Sequence, residues 1–491
     1  MESNRPTANR SMELTETEKI FCENFIKRQE SYNDFLSRLL IVVGTVIVEY
    51  AYMLSCKLFA TIHKPKNLLI KAPIFMKTKI TKNTVATLFL MSAMALNVQS
   101  QTTLTWGRQI GTDKEEYAMN HVNDGNGNIY ICGKTYGNMA GVNQGKNDGF
   151  ITKIDSLGNT KWTKQFGSAG DEDEQWSAID QKGNIYITGS TTGDLNGKNA
   201  GKEDIFLVKY NPDGQLLWTR QFGTDSTDIG KGVYADNKGF VYITGLTMGK
   251  LGESSFGKMD AFIIKLDGNG KQLFTNQFGT PGDDSGISIT GDNHSTIYVC
   301  GNTWGDLGAK SKGFLDVYTG QFTDEGKLIR YNQFGTEGFD ITMNLKVDSE
   351  KNLYVVGSTT GNLGCQQMGE GDCFLTKINE KGDVLWTSQF GTPKHDGIRG
   401  ITFVENMPGK ILVSGLLSLP PAQAFVRMYN TDGSFVWEKK MIDDGKPGDA
   451  SGKDVSVDKH GNIYHIGLTG IGLFGNHIGS NDVYVVKLKM D

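Results

Sequence analysis

From residue 104 onward the chain is built of short runs in which β-branched and aromatic residues alternate with polar ones, as in FVYITGLT, DAFIIKLD and KQLFTNQFG. Alternation with a period of two predicts half-buried strands. The runs are separated by Gly/Asn/Asp clusters such as DQKGN before Ile185 and NPDGQ before Leu216. In such hairpins glycine supplies positive φ, and an Asp or Asn side chain bonds the backbone. No helix of useful length is expected after residue 101.

The pattern is periodic. Gln109, Gln165, Gln221, Gln277, Gln333 and Gln389 open the tripeptides QIG or QFG, each 56 residues after the last. A second marker, Ile-Tyr or a close variant, recurs at 129, 185, 241, 297, 353, 411 and 463, and Asp-x-(Phe/Tyr) recurs at Asp148, Asp204, Asp260, Asp316, Asp372 and Asp482, with Gln423 replacing Asp once. Four strands per unit in seven units predict an all-β, seven-bladed β-propeller over residues 101–491. The ends are out of phase: the ring opens on a fourth strand, Leu104 to Ile110, and closes on a third, Asp482 to Lys489. The N-terminal strand is therefore expected to complete the last blade and remove an open edge.

With W-T-x-Q-F-G, G-D-D, D-x-x-G-N-I-Y-I-T-G-x-T and D-x-F-x-x-K in one register, the unit resembles the SBBP family of bacterial β-propeller repeats over residues 104–489. The resemblance implies an exported bacterial protein without an assigned catalytic activity.

Composition sharpens this picture. The 62 Gly have no Gly-X-Y period and accompany 10% aromatics, which excludes collagen and plain disorder. Residues 101–491 hold 37 Lys+Arg against 47 Asp+Glu, an acidic excess that disfavours nucleic acid as a partner. Residues 76–100 have a basic start (Lys77, Lys79, Lys82), an apolar run from Val85 to Leu96 and small residues after it, the layout of a signal peptide cut after Ala95 or Ser100. Location is thus expected to be secreted, periplasmic or cell-surface. Residues 1–75 have two readings. Either they are an upstream extension ahead of a true start at Met76, or the apolar stretch 39–60 is a membrane anchor.

Candidate chemistry is sorted by the repeat itself, since a residue present in every unit is expected to be scaffold and a departure from the repeat to be functional. An acid stands five residues after each QFG/QIG glycine: Glu116, Glu172, Asp228, Asp284, Asp340 and Asp396, with Asp449 near the equivalent place. These are expected either to cap turns or to form a Ca²⁺-binding ring at the channel mouth. The least repeat-like acids, Asp171 and Asp173, are the metal candidates; no other cofactor is expected. Trp106, Trp162, Trp218, Trp386 and Trp437 follow hairpins and are expected between blades. Cys132 and Cys300 belong to one core strand position three units apart, while Cys365 and Cys373 flank one loop and can form a disulfide in an exported protein.

The connections from second to third strand share one face, where Trp304, Tyr136, Phe256 and Trp176 are candidate ligand contacts. In one unit the long loop is replaced by Leu416 to Pro421, and Leu417 and Leu419 are expected to line a notch in the rim. The reading is a non-catalytic extracytoplasmic module that binds a protein or glycan through this face. The alternative is an exported polysaccharide lyase or hydrolase using channel-mouth carboxylates.

Overall fold

The alternating runs become strands in the order the repeat requires. The structure, a computed structural model, describes residues 102–442 and 449–490. Residues 1–75, the apolar stretch 39–60 within them and the leader at 76–100 lie outside the described residues. Within the described residues, 28 strands form seven separate four-stranded antiparallel sheets. Blades one to six run from Glu116 to Phe166, Glu172 to Phe222, Asp228 to Phe278, Asp284 to Phe334, Asp340 to Phe390 and Gly397 to Lys440. Blade seven takes Ala450–Val457, Asn462–Thr469 and Asp482–Met490, and receives its outer strand, Thr102–Ile110, from the other end of the chain. Ile110 lies opposite Val483 and Thr102 opposite Met490, so the ring is closed by strand exchange as expected.

The first strand of every blade lies against the first strands of both neighbours, and the circle closes between Ala450–Val457 and Glu116–Asn123. These seven strands wall a central channel. Second strands such as Ile185–Thr191 and Val241–Thr247 are buried at every residue, because another blade covers each face. The apolar clusters accordingly bridge blades; Tyr186, Ile205 and Leu207 of blade two pack with Val241, Ile243 and Phe262 of blade three. Each fully buried Phe or Ile contributes about 1.5–3 kcal/mol, spread around the whole ring.

Two of the sequence markers, the QFG glutamine and the third-strand Asp, meet near the blade junctions. Gln333 of blade four donates from Nε2 to the Asp316 carboxylate (2.9 Å) and to the Gly305 carbonyl (3.0 Å), while its Oε1 accepts from Leu307 N–H (2.9 Å). Gln109, Gln165, Gln221, Gln277 and Gln389 likewise donate to Asp482, Asp148, Asp204, Asp260 and Asp372. The glutamine thus ties the loop after the second strand to the third strand of its own blade. The phenylalanine beside it reaches outward: Phe334 meets Phe374 of blade five edge-on at 6.3 Å, and Phe166 meets Phe206 at 5.7 Å. The hairpin tryptophans do what was expected of them. Trp162 and Trp218 donate from Nε1 to the Pro212 and Gly268 carbonyls of the next blade, and Gly214, at φ 78°, has no room for a Cβ because the Trp162 ring lies against it.

Candidate functional site

The repeated acids are scaffold. Asp340 is fully buried and accepts from Thr336 N–H (2.6 Å), Thr336 Oγ1 (3.0 Å) and Thr359 Oγ1 (2.5 Å). Glu116, Glu172, Asp228, Asp284 and Asp396 are buried in equivalent turns and bond the residue four positions earlier. The exception is blade seven, where Ala450 fills the slot and Asp449 lies outside it, accepting from Ala422 N–H at 2.6 Å. Six junctions therefore pair a third-strand Asp with the first-strand acid of the next blade; at the seventh, Gln423 and Ala450 replace both carboxylates together. Between the two acids sits the marker glycine: a Cβ on Gly335 would strike both Asp316 Oδ1 and Asp340 Oδ2. Burial, reinforced by the facing Asp148, Asp260 and Asp316, outweighs the hydrogen bonds and raises the pKa of Glu172, Asp284 and Asp340.

Other expectations are corrected. Asp171 and Asp173 do not converge on one point: Asp171 pairs with Lys146 at 3.1 Å and Asp173 with Lys134. Cys365 and Cys373 are free thiols. Cys373 is turned into the core of its strand beside Leu375 and Phe425, whereas Cys365 is exposed with Sγ toward the Gln366 and Gln389 carbonyls. Cys132 and Cys300 are core residues, and burial pushes both thiols up to about 12. Trp176 is not on a loop; it belongs to the inner strand Glu172–Ile179, opposite Thr188, and packs against the cluster shared by blades two and three. Leu417 is a strand residue of the blade-six core rather than a rim contact, and Leu419 is half-buried. The strand continues through Leu417 because Ser418 N–H caps the Asp396 carboxylate at 2.6 Å.

Tyr136, Phe256 and Trp304 do lie on the loop face, 37%, 48% and 49% exposed. Among the described residues no contact joins them, since they belong to blades one, three and four. Trp304 instead meets two aromatics that sequence reasoning missed. Its ring stands edge-on to Phe339 at 6.0 Å, and Phe339 stacks on Phe314 at 5.3 Å and 12°. The three rings are held by backbone: Trp304 N–H donates to Asp283 O (3.0 Å) and Phe314 N–H to Gly338 O (3.2 Å). Phe314 and Phe339 are 60% and 40% exposed, so a contiguous aromatic surface faces solvent where blade four meets blade five. A signal was present. Blades one, two and three carry Lys146, Lys202 and Lys258 where blade four has Phe314, and Asp171, Thr227 and Asp283 stand where Phe339 does.

The channel wall is the second departure. Each inner strand is interrupted by a β-bulge, for example between Gly230 and Gly232 and between Gly452 and Asp454. The extra residue projects toward the axis: Met119, Lys231, Ile287, Met343, Arg399 and Lys453 are the half-buried occupants in six blades. In blade two the periodic occupant, Gln175, is instead fully buried, with Nε2 on the Glu172 carbonyl. Glu174 takes the channel position by adopting φ 60°, a left-handed conformation costly for a non-glycine residue, and pairs with Lys231 at 3.4 Å.

Residues 161–196 and 217–252 match the SBBP beta-propeller repeat. The chain is 23% identical over 369 residues to the regulatory protein FlaEY of Caulobacter vibrioides, an alignment covering 71% of this chain; the chain spans 35% of that relative's length. In shape it is similar to an ulvan lyase of a polysaccharide lyase family (TM-score 0.47, 13% identity, 76% of this chain and 97% of that one). It is also similar to a protein of unknown function from Dyadobacter fermentans (TM-score 0.41, 11% identity, 80% and 100%).

Proposed function

We propose that this chain is an exported, non-catalytic propeller that binds a glycan on the loop face where blades four and five meet. The observation that carries the reading is the exposed Trp304–Phe339–Phe314 surface. Planar rings held by backbone hydrogen bonds offer apolar faces to sugar rings at little entropic cost. Asp283, whose carbonyl accepts from Trp304 N–H, and Asp306, Ser311 and Glu337, within three residues of the rings along the chain, carry acceptors and donors for hydroxyl groups. A non-catalytic role is supported by the repeated first-strand acids Glu116, Glu172, Asp228, Asp284, Asp340 and Asp396 being engaged in turn hydrogen bonds. Export is supported by the leader-like residues 76–100.

The test is binding of the purified protein to a panel of immobilised polysaccharides. Binding that falls at least tenfold in both Trp304→Ala and Phe339→Ala, and is retained in the exposed control Phe435→Ala, supports the site. A ligand that is a protein, or glycan binding indifferent to both substitutions, overturns it, and release of shortened products from the bound polysaccharide overturns the non-catalytic assignment. N-terminal sequencing of native protein from separated cell fractions tests export: a start at Leu96 or Gln101 in the exported fraction is expected, and a start at Met1 in the membrane fraction contradicts it.

A further inference from the structure

The channel wall carries cations that the fold leaves without partners. Arg399 of blade six and Lys453 of blade seven occupy the bulges of adjacent inner strands, and both are half-buried. Among the described residues neither makes an ion pair or a side-chain hydrogen bond. Lys346, on the inner strand of blade five, is a third half-buried channel cation without a hydrogen-bonded partner among the described residues. Two like charges on neighbouring strands repel one another in a space from which much of the water is excluded, a costly arrangement unless a counter-charge completes it. The wall's carboxylates are committed elsewhere. Glu174 is taken by Lys231 (3.4 Å), Asp173 by Lys134, and Asp454 accepts from Asn120 Nδ2 (2.9 Å) and His121 N–H (3.1 Å) while its Oδ2 lies 3.1 Å from His121 Nδ1.

We infer that the central channel is an oxyanion-binding site in which Arg399 and Lys453 are the principal ligands, distinct from the aromatic surface on the loop face and independent of it. The guanidinium supplies a planar fork of N–H donors and the ammonium a point charge, a combination suited to sulfate, phosphate or carboxylate oxygens. The blade-two distortion fits the same reading. By turning Glu174 into the channel the protein pairs Lys231, and the cations left without a bonded partner among the described residues are Lys346, Arg399 and Lys453 of blades five to seven. Burial and then the adjacent Arg399 push the Lys453 ammonium down to about 8. Burial lowers Arg399 as well, with Glu174 opposing.

The test uses the full-length protein and sodium sulfate, with sodium acetate as the carboxylate arm and sodium chloride at matched ionic strength as reference, read by calorimetric titration and by melting temperature. One saturable site per chain is expected for sulfate or acetate, and whichever binds more tightly identifies a tetrahedral or a carboxylate ligand. Lys453→Met and Arg399→Met are expected to weaken binding at least tenfold each, and the surface substitution Lys182→Met to leave it unchanged. Glu174→Gln is expected to tighten binding by freeing Lys231.

Affinity should fall as pH rises from 7 to 9, because Lys453 discharges there. The other groups facing it are Arg399, Lys346, Lys231 and Glu174 on the wall and Asp454, His121 and His465 in the packed strands. No saturable binding beyond chloride for either anion, or equal affinity in the Lys453→Met/Arg399→Met double variant, overturns the inference. Should that variant not fold, a pH-independent affinity in the unmodified protein overturns it equally.

Discussion

The blade junctions and the channel wall are built from the same repeat, yet they treat charge in opposite ways. At a junction every carboxylate is met by donors specified in the same 56-residue unit: Asp316 by Gln333, and Asp340 by Thr336 and Thr359. When one junction abandons the arrangement, both acids go together, to Gln423 and Ala450. Along the channel the bulge residues change from blade to blade, from Met119 and Ile287 to Lys231, Arg399 and Lys453, and among the described residues Arg399 and Lys453 have no ion-pair or side-chain hydrogen-bond partner. The contrast separates residues that close the ring from residues free to meet something that is not part of it.

The sharpest way to break the comparison is at a junction. Asp260→Ala would strand the donors of Gln277 Nε2 (2.7 Å), Phe256 N–H (2.8 Å) and Gly257 N–H (2.9 Å). Loss of several charge-assisted bonds should cost at least about 3 kcal/mol, read as a lowered melting temperature by calorimetry. Next comes Gly335→Ala, whose Cβ would meet the buried Asp316 and Asp340 carboxylates; a loss of about 1–3 kcal/mol is expected by the same measurement.

At the channel the expected sign reverses. Lys453→Met removes a repelling charge from beside Arg399, so in chloride buffer at pH 7 the melting temperature should hold or rise, by up to about 1 kcal/mol after solvent screening. A fall comparable to that of Asp260→Ala would show that Lys453 is scaffold after all.

The smallest effect is in pH. Glu172, Asp284 and Asp340 have raised values in the fold and so bind protons more tightly than in the unfolded chain. Their contribution grows as pH falls through the raised values toward the unfolded ones near about 4. Hairpin carboxylates behave oppositely. In Asp155 and Asp292 burial acts upward, but backbone N–H donors outweigh it and hold the pKa low, so their support is lost as pH falls through those low values. Melting temperature should therefore rise slightly from neutral to mildly acidic pH and then drop. Asp340→Asn should flatten the rise without changing the drop.

The architecture was legible because it depends on period and alternation, which are properties of the chain read in one dimension. Four alternating segments per unit fix four strands, the count of markers fixes the blades, and the phase of the termini at Leu104 and Lys489 fixes the closure. The scaffold role of the tryptophans and the core placement of Cys132 and Cys300 followed from the same register. Of the site, only Trp304 was singled out beforehand; Phe314 and Phe339 break the repeat as plainly, but their significance comes from three rings meeting across two blades.

What the tertiary structure alone decided is which way a side chain points where the backbone leaves regular geometry. Period assigns Gln175 to the channel and residue 174 to the blade interior, and the left-handed turn at Glu174 exchanges them. Alternation likewise cannot tell that Leu417 ends a buried strand or that Trp176 lies on an inner one. The chain by itself determined the ring and the repeated bonds that hold it, because those are local and recur. The aromatic surface and the unpaired channel cations depend on neighbours that come together only when the ring closes.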